Sequence, residues 1–296
     1  MLRSTRISRR PATYYFAWRM VLCALSFFAT GSYQRSVGMG KYLGQTTVSK
    51  YVAEVTNALT CPGVLNRHIH FPISIQERNE IKLKFYTKFG IPGVLGCVDG
   101  SHFHIFQPTK AVEHLYFCRK NFHSLNVQVV CDSDCKIISI NPKYGGATHD
   151  CFVWENSQVK VFMETLNRSG EQGWLLGDSG YPQRPWLMTP YNDAGDDSPE
   201  AKYNSVHGKA RDRTLHYAPE KCAKIITACA VLHNIAIDFL VPLPEDSETV
   251  AQAQDVQTVP TETLASSRLR ESTSEDLVRG RATRRALVER LNRLHR

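Results

Sequence analysis

Two short apolar runs that lead into aspartates constrain the fold of this chain more than any other feature. Residues 94–98 (VLGCV) precede Asp99, and residues 174–176 (WLL) precede Gly177 and Asp178. A short and nearly continuous apolar run is typical of a strand that is buried on both faces of a sheet. If the two strands are neighbours, their carboxylates meet at one edge of that sheet.

The chain around these two runs alternates between strand-like and helix-like patterns. Alternation of apolar and polar residues predicts further strands, so that the predicted strands cover residues 94–99 with 102–106 as a continuation, 125–129, 136–140 and 174–178. Helices are predicted over residues 150–164, from a stripe of Phe152, Val159 and Phe162, and over 219–240. This order predicts an α/β domain over residues 91–240, a mixed sheet flanked by helices.

Residues 1–90 are predicted to be mostly helical. Helices are expected over 16–30, over 36–43 and from Gln45 onward, where one face carries Val48, Val52, Val55 and Leu59. Helix, short helix, glycine-containing turn and helix is the order of a helix-turn-helix. It would present to DNA the side chains of Thr46, Thr47, Ser49 and Lys50. An ordinary three-helix subdomain that only packs on the rest of the chain is the alternative.

Composition narrows the classes of partner and of fold. The 296 residues carry a net charge of +8 and are 42% apolar, which predicts a folded protein with an anionic partner, nucleic acid first. The nine cysteines include no C-x-x-C pair, so their spacing argues against zinc fingers and disulfide frameworks. The apolar run 20–29 is too short to cross a bilayer and lacks the pattern of a signal peptide, so a core helix is expected there and no membrane partner.

The C-terminal region, residues 241–296, has a different composition. Residues 241–270 are poor in apolar residues and are predicted to be disordered. Residues 274–296 interleave leucines with arginines and predict a basic amphipathic helix. Such a helix could be a nuclear-targeting patch, a DNA-backbone contact or a partner-binding helix, or a solvated helix without a special role.

The strand-end aspartates point to metal chemistry. Two carboxylates held close together repel each other, and a divalent cation relieves that repulsion. Oxygen ligands select Mg²⁺ or Mn²⁺. Asp150, at the start of a predicted helix beside His149, is a third candidate ligand, although a helix-capping acid would look the same. The sequence thus predicts a site at which Asp99, Asp150 and Asp178 bind the metal.

Several segments resemble, in chain order, the motifs of PIF/Harbinger transposases and their domesticated relatives. These segments are residues 96–102 (GCVDGSH), 119–126 (RKNFHSLN), 145–150 (GGATHD, with Gly145 in place of a proline), 175–181 (LLGDSGY), 186–190 (WLMTP) and 230–235 (AVLHNI). The resemblance covers residues 15–240.

This resemblance implies a ribonuclease-H-like fold and a DDE-type nuclease that cleaves DNA with Mg²⁺ or Mn²⁺. Asp99 and Asp178 would be the first two catalytic acids and Asp150 an additional metal ligand. Two cations would activate the attacking water and stabilise the leaving oxygen. The resemblance also implies a Myb-like DNA-binding protein as partner. The implied location is the nucleus, with the cytoplasm as the alternative.

One departure from the family pattern concerns the last acid. The family's N-x-x-H-x-x-x-R segment is present as Asn204, His207 and Arg211, but the helix that should follow with a Glu is absent. About thirty residues, including a helix that would cover the sheet, are missing after Arg211. Asp212 and Glu220 are the candidates to replace it. The alternative to a nuclease is therefore a catalytically dead DNA- or protein-binding module derived from a transposase.

Overall fold

The computed structural model describes residues 12–39, 41–191, 219–241 and 270–294, together with Ser198 and Glu200. Its helices are α1 (Ala12–Thr30), α2 (Gln34–Met39), α3 (Gln45–Leu59), α4 (Pro62–His68), α5 (Ile75–Phe89), α6 (Asp150–Glu155), α7 (Gln158–Arg168), α8 (Pro219–Asp238) and α9 (Arg270–Leu294). The strands are β1 (Val94–His104), β2 (Ser124–Cys131), β3 (Ile137–Gly145), β4 (Trp174–Leu176) and β5 (Leu187–Met188).

The five strands form one mixed sheet in the order β3-β2-β1-β4-β5. β1, β2 and β3 form an antiparallel meander, whereas β4 runs parallel to β1 and β5 runs parallel to β4. The predicted α/β class, with a mixed sheet flanked by helices, is therefore confirmed. The prediction included the first four strands but not β5, because a two-residue strand leaves no periodic pattern in a sequence.

Helices cover both faces of the sheet. Side chains alternate between the faces of a strand. On one face Val98 and Val130 pack with Trp154 of α6 and Met163 of α7. On the other, a cluster around Leu125 and Val127 packs against Cys222 and Ile226 of α8. The central strands are thereby buried from both sides, which explains their apolar sequences.

The helix predicted over residues 150–164 is wrong in one respect, because it is two helices. α6 ends at Glu155, and α7 starts with Ser157 as its N-cap, whose hydroxyl accepts a hydrogen bond from the Lys160 N–H at 3.1 Å. Serine favours a helix start over a helix interior because its side chain competes for backbone groups. Because the helix breaks, the buried side of α6 differs from the predicted one: Trp154 is buried, whereas Phe152 is 56% exposed.

The N-terminal helices pack as one layer against α8. Val48, Val52 and Val55 of α3 are buried with Cys23, Ala24 and Phe27 of α1 and with Ile225 of α8. The predicted inward face of α3 and the predicted core helix over residues 20–29 are both confirmed by this burial. Among the helices that the structure describes, none is both long enough and apolar enough to span a bilayer.

A partly buried ion pair ties α5 to the loop before β4. The Arg78 guanidinium donates to both carboxylate oxygens of Glu171, at 2.9 and 2.6 Å, and Nζ of Lys82 donates to the same carboxylate at 2.9 Å. The Arg78 side chain is 7% exposed and that of Glu171 is 18% exposed. These contacts hold the pKa of Glu171 at about 2, the Arg78 hydrogen bond being the largest cause.

The C-terminal amphipathic helix exists as α9 and docks on the β5 edge of the sheet. Leu287 and Val288 are 3% and 5% exposed and pack with Phe85 and Met188. The guanidinium of Arg284 donates to the carbonyl oxygens of Thr189 and Pro190, at 3.0 and 2.9 Å. The helix is therefore anchored on one side rather than solvated all round. Of the segment 241–270, predicted to be disordered, residues 242–269 lie outside the described residues, and Arg270 begins α9.

Candidate active site

Asp99 and Asp178 follow the paired segment of β1 and β4 by the same number of residues, but the prediction that Asp99 ends its strand is wrong, because β1 continues to His104. The parallel register pairs Cys97 with Leu176, and each aspartate follows two residues later. β4 ends at Leu176, and Asp178 begins a turn in which its Oδ1 accepts a hydrogen bond from the Gly180 N–H at 3.0 Å. Oδ1 of Asp99 accepts one from the Gly100 N–H at 2.9 Å. Both side chains are half-buried at this end of β4.

Asp150 approaches β1 from the opposite face of the sheet. Gly100 follows Asp99 in the strand, so its missing side chain would leave on the other face. A Cβ at Gly100 would lie 2.0 Å from Oδ1 of Asp150 and 3.1 Å from Oδ1 of Asn126. The Asn126 Nδ2 group donates to that same Asp150 oxygen and to the Thr148 carbonyl, both at 2.8 Å. The Asp150 carboxylate therefore fills space that only a glycine at position 100 leaves open.

The buried phenol of Tyr181 shows that the three acids share one neighbourhood. Burial is the main reason that the pKa of Tyr181 lies far above its ordinary value. The negative charges of Asp150, Asp99 and Asp178 raise this pKa further, in that order of size, while the Gln128 side chain acts in the opposite direction. The phenol therefore stays protonated at neutral pH, and its hydroxyl lies within electrostatic reach of all three carboxylates.

Three buried polar atoms beside these acids lack a hydrogen-bond partner within the described residues. They are Oδ1 of Asn126, Nε2 of Gln128 and the hydroxyl of Tyr181, on side chains that are 1%, 3% and 4% exposed. Gln128 is close enough to Tyr181 to affect its pKa, but the pair does not reach hydrogen-bonding geometry. An unsatisfied buried polar group costs about 1–3 kcal/mol. Such groups under an acidic site are a recognised sign of function.

The donor atoms fit a hard divalent cation, although the acids do not form a closed ligand set. Within the described ranges, no three His, Cys, Asp or Glu side chains are arranged as a group that could hold a metal ion. Carboxylate oxygens of Asp99 and Asp178 and the unpartnered amide oxygen of Asn126 are ligands of the type that Mg²⁺ and Mn²⁺ prefer. The structure thus brings Asp99 and Asp178 together from neighbouring strands, whereas Asp150 reaches β1 from the other face of the sheet. Their roles as metal ligands stay predictions.

The expected last acid cannot be located from the described residues. Asn204, His207, Arg211 and Asp212 lie outside them. Glu220 is described, in the first turn of α8, where its charge adds to burial in raising the pKa of Tyr116.

Two histidines that follow Asp99 make local contacts. Nδ1 of His102 is 3.0 Å from the hydroxyl oxygen of Ser124, and the ring of His104 stacks on Phe122 with 3.6 Å between centroids. These contacts orient both rings on the face of the sheet that carries Asn126.

The prediction from sequence missed the polar layer formed by Asn126, Gln128 and Tyr181. Asn126 and Gln128 alternate with apolar residues in β2, which is typical of a strand with one solvated face. Both are instead buried. Their burial could have been inferred from their position in a central strand, which is covered on both faces. A polar side chain that is buried there needs a hydrogen-bond partner.

The described residues form an α/β protein in which acidic side chains come from two neighbouring central strands, Asp99 from within β1 and Asp178 from just beyond β4. Comparison with known proteins gives the family. The family model of the DDE superfamily endonucleases matches residues 98–213, a range that contains Asp99, Asp150 and Asp178.

Curated relatives agree with this match. The protein named "Putative nuclease HARBI1" of Mus musculus is 35% identical over 238 residues, 74% of this chain and 66% of the relative. The protein of the same name in Xenopus laevis is 30% identical over 83% of this chain and 75% of its own length. "Protein ALP1-like" of Arabidopsis thaliana is 26% identical over 74% of this chain and 60% of its own length. The chain therefore belongs to the Harbinger transposase-derived nuclease family. No solved structure matches it significantly.

Proposed function

We propose that this chain is a transposase-derived nuclease that hydrolyses DNA phosphodiester bonds with Mg²⁺ or Mn²⁺. The observation that carries the proposal is the register of β1 and β4, which puts Asp99 and Asp178 at equivalent positions inside the segment matched by the endonuclease family. The antiparallel meander followed by two parallel strands is compatible with the ribonuclease-H-like fold that the resemblance implies.

The side chains of this chain have distinct roles in the proposed reaction. Asp99 and Asp178 would hold the cation, with Asp150 as an additional ligand. A cation bound there supplies a nucleophile from water and stabilises the charge on the leaving oxygen. The backbone N–H groups of Gly100 and Gly180 donate to the carboxylates of Asp99 and Asp178 and thereby orient them. Tyr181 packs against Trp154 in the buried apolar cluster that lies beneath the acids.

DNA binding and the cellular setting belong to the same proposal. The net charge of +8 supports a polyanionic partner. Thr46 and Lys50 are exposed at the start of α3, as a helix-turn-helix would require, while Thr47 and Ser49 are half-buried. A Myb-like DNA-binding partner and a place of action in the nucleus rest on the family resemblance.

A second candidate function is a catalytically inactive DNA- or protein-binding module. One observation favours it specifically: the described part of the chain offers no group of three side chains that is set to hold a metal ion. A two-carboxylate site binds a cation more weakly than a site with more charged ligands.

Cleavage of duplex DNA separates the two functions. The wild-type chain is expected to nick or cut the duplex with Mn²⁺ or Mg²⁺ and to lose this activity when the cation is chelated. Asp99→Ala removes one of the two carboxylates from neighbouring strands and should lower the rate at least about 100-fold, because the charge of the cation is no longer held at the scissile phosphate.

The matched control is Asp134→Ala, since Asp134 lies in the turn between β2 and β3, where it forms an exposed surface pair with Lys84. It should leave cleavage unchanged. Equal activity of the wild-type chain and Asp99→Ala, including no activity in either, would exclude the nuclease and leave the binding module.

A further inference from the structure

Asn126 and Asn234 are both buried, but their side-chain amides differ in how many of their polar atoms have hydrogen-bond partners. Asn234 of α8 has no exposed surface, and its amide is saturated: Nδ2 donates to the carbonyl oxygens of His68 and Ile137, and Oδ1 accepts from the Ile137 N–H at 2.8 Å. Its role is to join α8 to β3 and α4. Asn126 of β2 is equally buried but differs in what its two polar atoms contact.

Among the described residues, the Nδ2 group of Asn126 has hydrogen-bond partners and its Oδ1 has none. Its Nδ2 group makes two hydrogen bonds of 2.8 Å, to the Thr148 carbonyl and to Oδ1 of Asp150. Its Oδ1, 1% exposed with the rest of the side chain, has no partner among the described residues. The two hydrogen bonds fix which end of the amide is the nitrogen, because only Nδ2 can donate to both acceptors.

The unpartnered oxygen faces the same space as the Asp150 carboxylate. The point where a Cβ of Gly100 would stand is 3.1 Å from Oδ1 of Asn126 and 2.0 Å from Oδ1 of Asp150. Two oxygen atoms, one charged and one neutral, therefore pack against the backbone of Gly100, the residue that follows Asp99 in β1. The Asn126 amide thus lies against the same part of β1 as the carboxylate that it holds.

From this geometry we infer that Asn126 is a positioning residue of the proposed metal site, acting through Asp150. The inference rests on the proposed function. The Nδ2 donor holds one carboxylate oxygen of Asp150 in a fixed direction, so that Asp150 need not reorganise when a cation arrives. Partners that orient a metal ligand in this way typically change metal affinity by 10–100-fold when they are lost.

The test is Mn²⁺ binding to the full chain, measured by counting free Mn²⁺ with electron paramagnetic resonance, with the melting temperature followed in parallel. Asn126→Ala is expected to weaken Mn²⁺ binding about tenfold or more. Asn126→Ser serves as a second variant if the alanine protein does not fold. Asn234→Ala is the matched control: it removes an equally buried amide with more hydrogen bonds, so it should lower the melting temperature but change Mn²⁺ affinity less than about twofold.

A double-mutant cycle distinguishes positioning from general loosening of the fold. If Asn126 acts through Asp150, replacing it in the Asp150→Ala protein should cause no further loss of Mn²⁺ affinity. Unchanged affinity in Asn126→Ala, or an undiminished effect in the Asp150→Ala background, would overturn the inference while leaving Asp99 and Asp178 as ligands. If the wild-type chain does not bind Mn²⁺, the proposed metal-dependent function fails, and the role of Asn126 fails with it.

Discussion

Gly100→Ala is expected to lower cation-dependent cleavage by about 10–100-fold, although it adds a single methyl group. The new Cβ would stand 2.0 Å from Oδ1 and 2.6 Å from Cγ of Asp150. Real atoms do not approach so closely, so the carboxylate or strand β1 has to move. The effect of such a displacement on metal affinity should match the loss of an orienting partner, about 10–100-fold. The measurements are Mn²⁺ affinity and the rate of duplex cleavage.

Gly63→Ala is the matched control for that substitution. Gly63 lies in α4, and a Cβ there would meet nothing within 4 Å. Alanine should change the free energy of unfolding by less than about 1 kcal/mol, because Gly63 lies in the first turn of α4 and not in its interior, and should leave the site unchanged. Retained Mn²⁺ affinity and cleavage in Gly100→Ala would mean that the tight packing around Asp150 has no part in the site.

Glu171→Gln should cause the largest loss of stability, about 2–3 kcal/mol at neutral pH. It takes the charged partner away from Arg78 and Lys82 where all three side chains are largely buried. The pKa of Glu171 is about 2 in place of its ordinary 4.5, a difference of 4.5 − 2 = 2.5. One pKa unit corresponds to about 1.4 kcal/mol, and the remaining exposure reduces the total. Chemical denaturation at pH 7 measures the loss.

The pH dependence gives the same ion pair a second test. The folded chain keeps Glu171 ionised down to about pH 2, whereas the unfolded chain takes up a proton near pH 4.5. The stabilisation is therefore complete above about pH 5 and is lost as the pH falls from 4.5 towards 2. The difference between the wild-type chain and Glu171→Gln should shrink over that range. A constant difference would show that the loss comes from packing and not from charge.

The exposed pair of Lys84 and Asp134 is the control for this prediction. Its side chains are 58% and 44% exposed. Exposed ion pairs contribute less than about 1 kcal/mol, so Asp134→Asn should change the free energy of unfolding by less than Glu171→Gln.

The elements that could be predicted from the sequence are those whose buried faces require apolar residues. β1 and β4 are covered on both faces, so each leaves a nearly continuous apolar run that was recognised as a strand. The inward valines of α3 were predicted for the same reason, because helical spacing and burial agree there.

The parts that were not predictable depend on contacts between distant segments. The burial of Asn126 follows from its contact with Asp150, 24 residues away, and no local pattern contains that information. Gly100 was recognised as part of a motif, but its physical reason, the carboxylate of Asp150 against its backbone, exists only in three dimensions. The division of residues 150–164 into two helices depended on the capping role of Ser157, which competes with the apolar periodicity.

The parallel pairing of β1 with β4 has a consequence for the order of folding. β1, β2 and β3 lie in sequence over residues 94–145 and pair through hairpins, whereas β4 has to join β1 after two intervening helices. Closing the longer loop is the slower event, so we expect the hairpins to form first and β4 to dock last. Only that final docking sets Asp178 beside Asp99. A folding intermediate that has only the meander would therefore lack the proposed pair of carboxylates, which is complete only after β4 has docked.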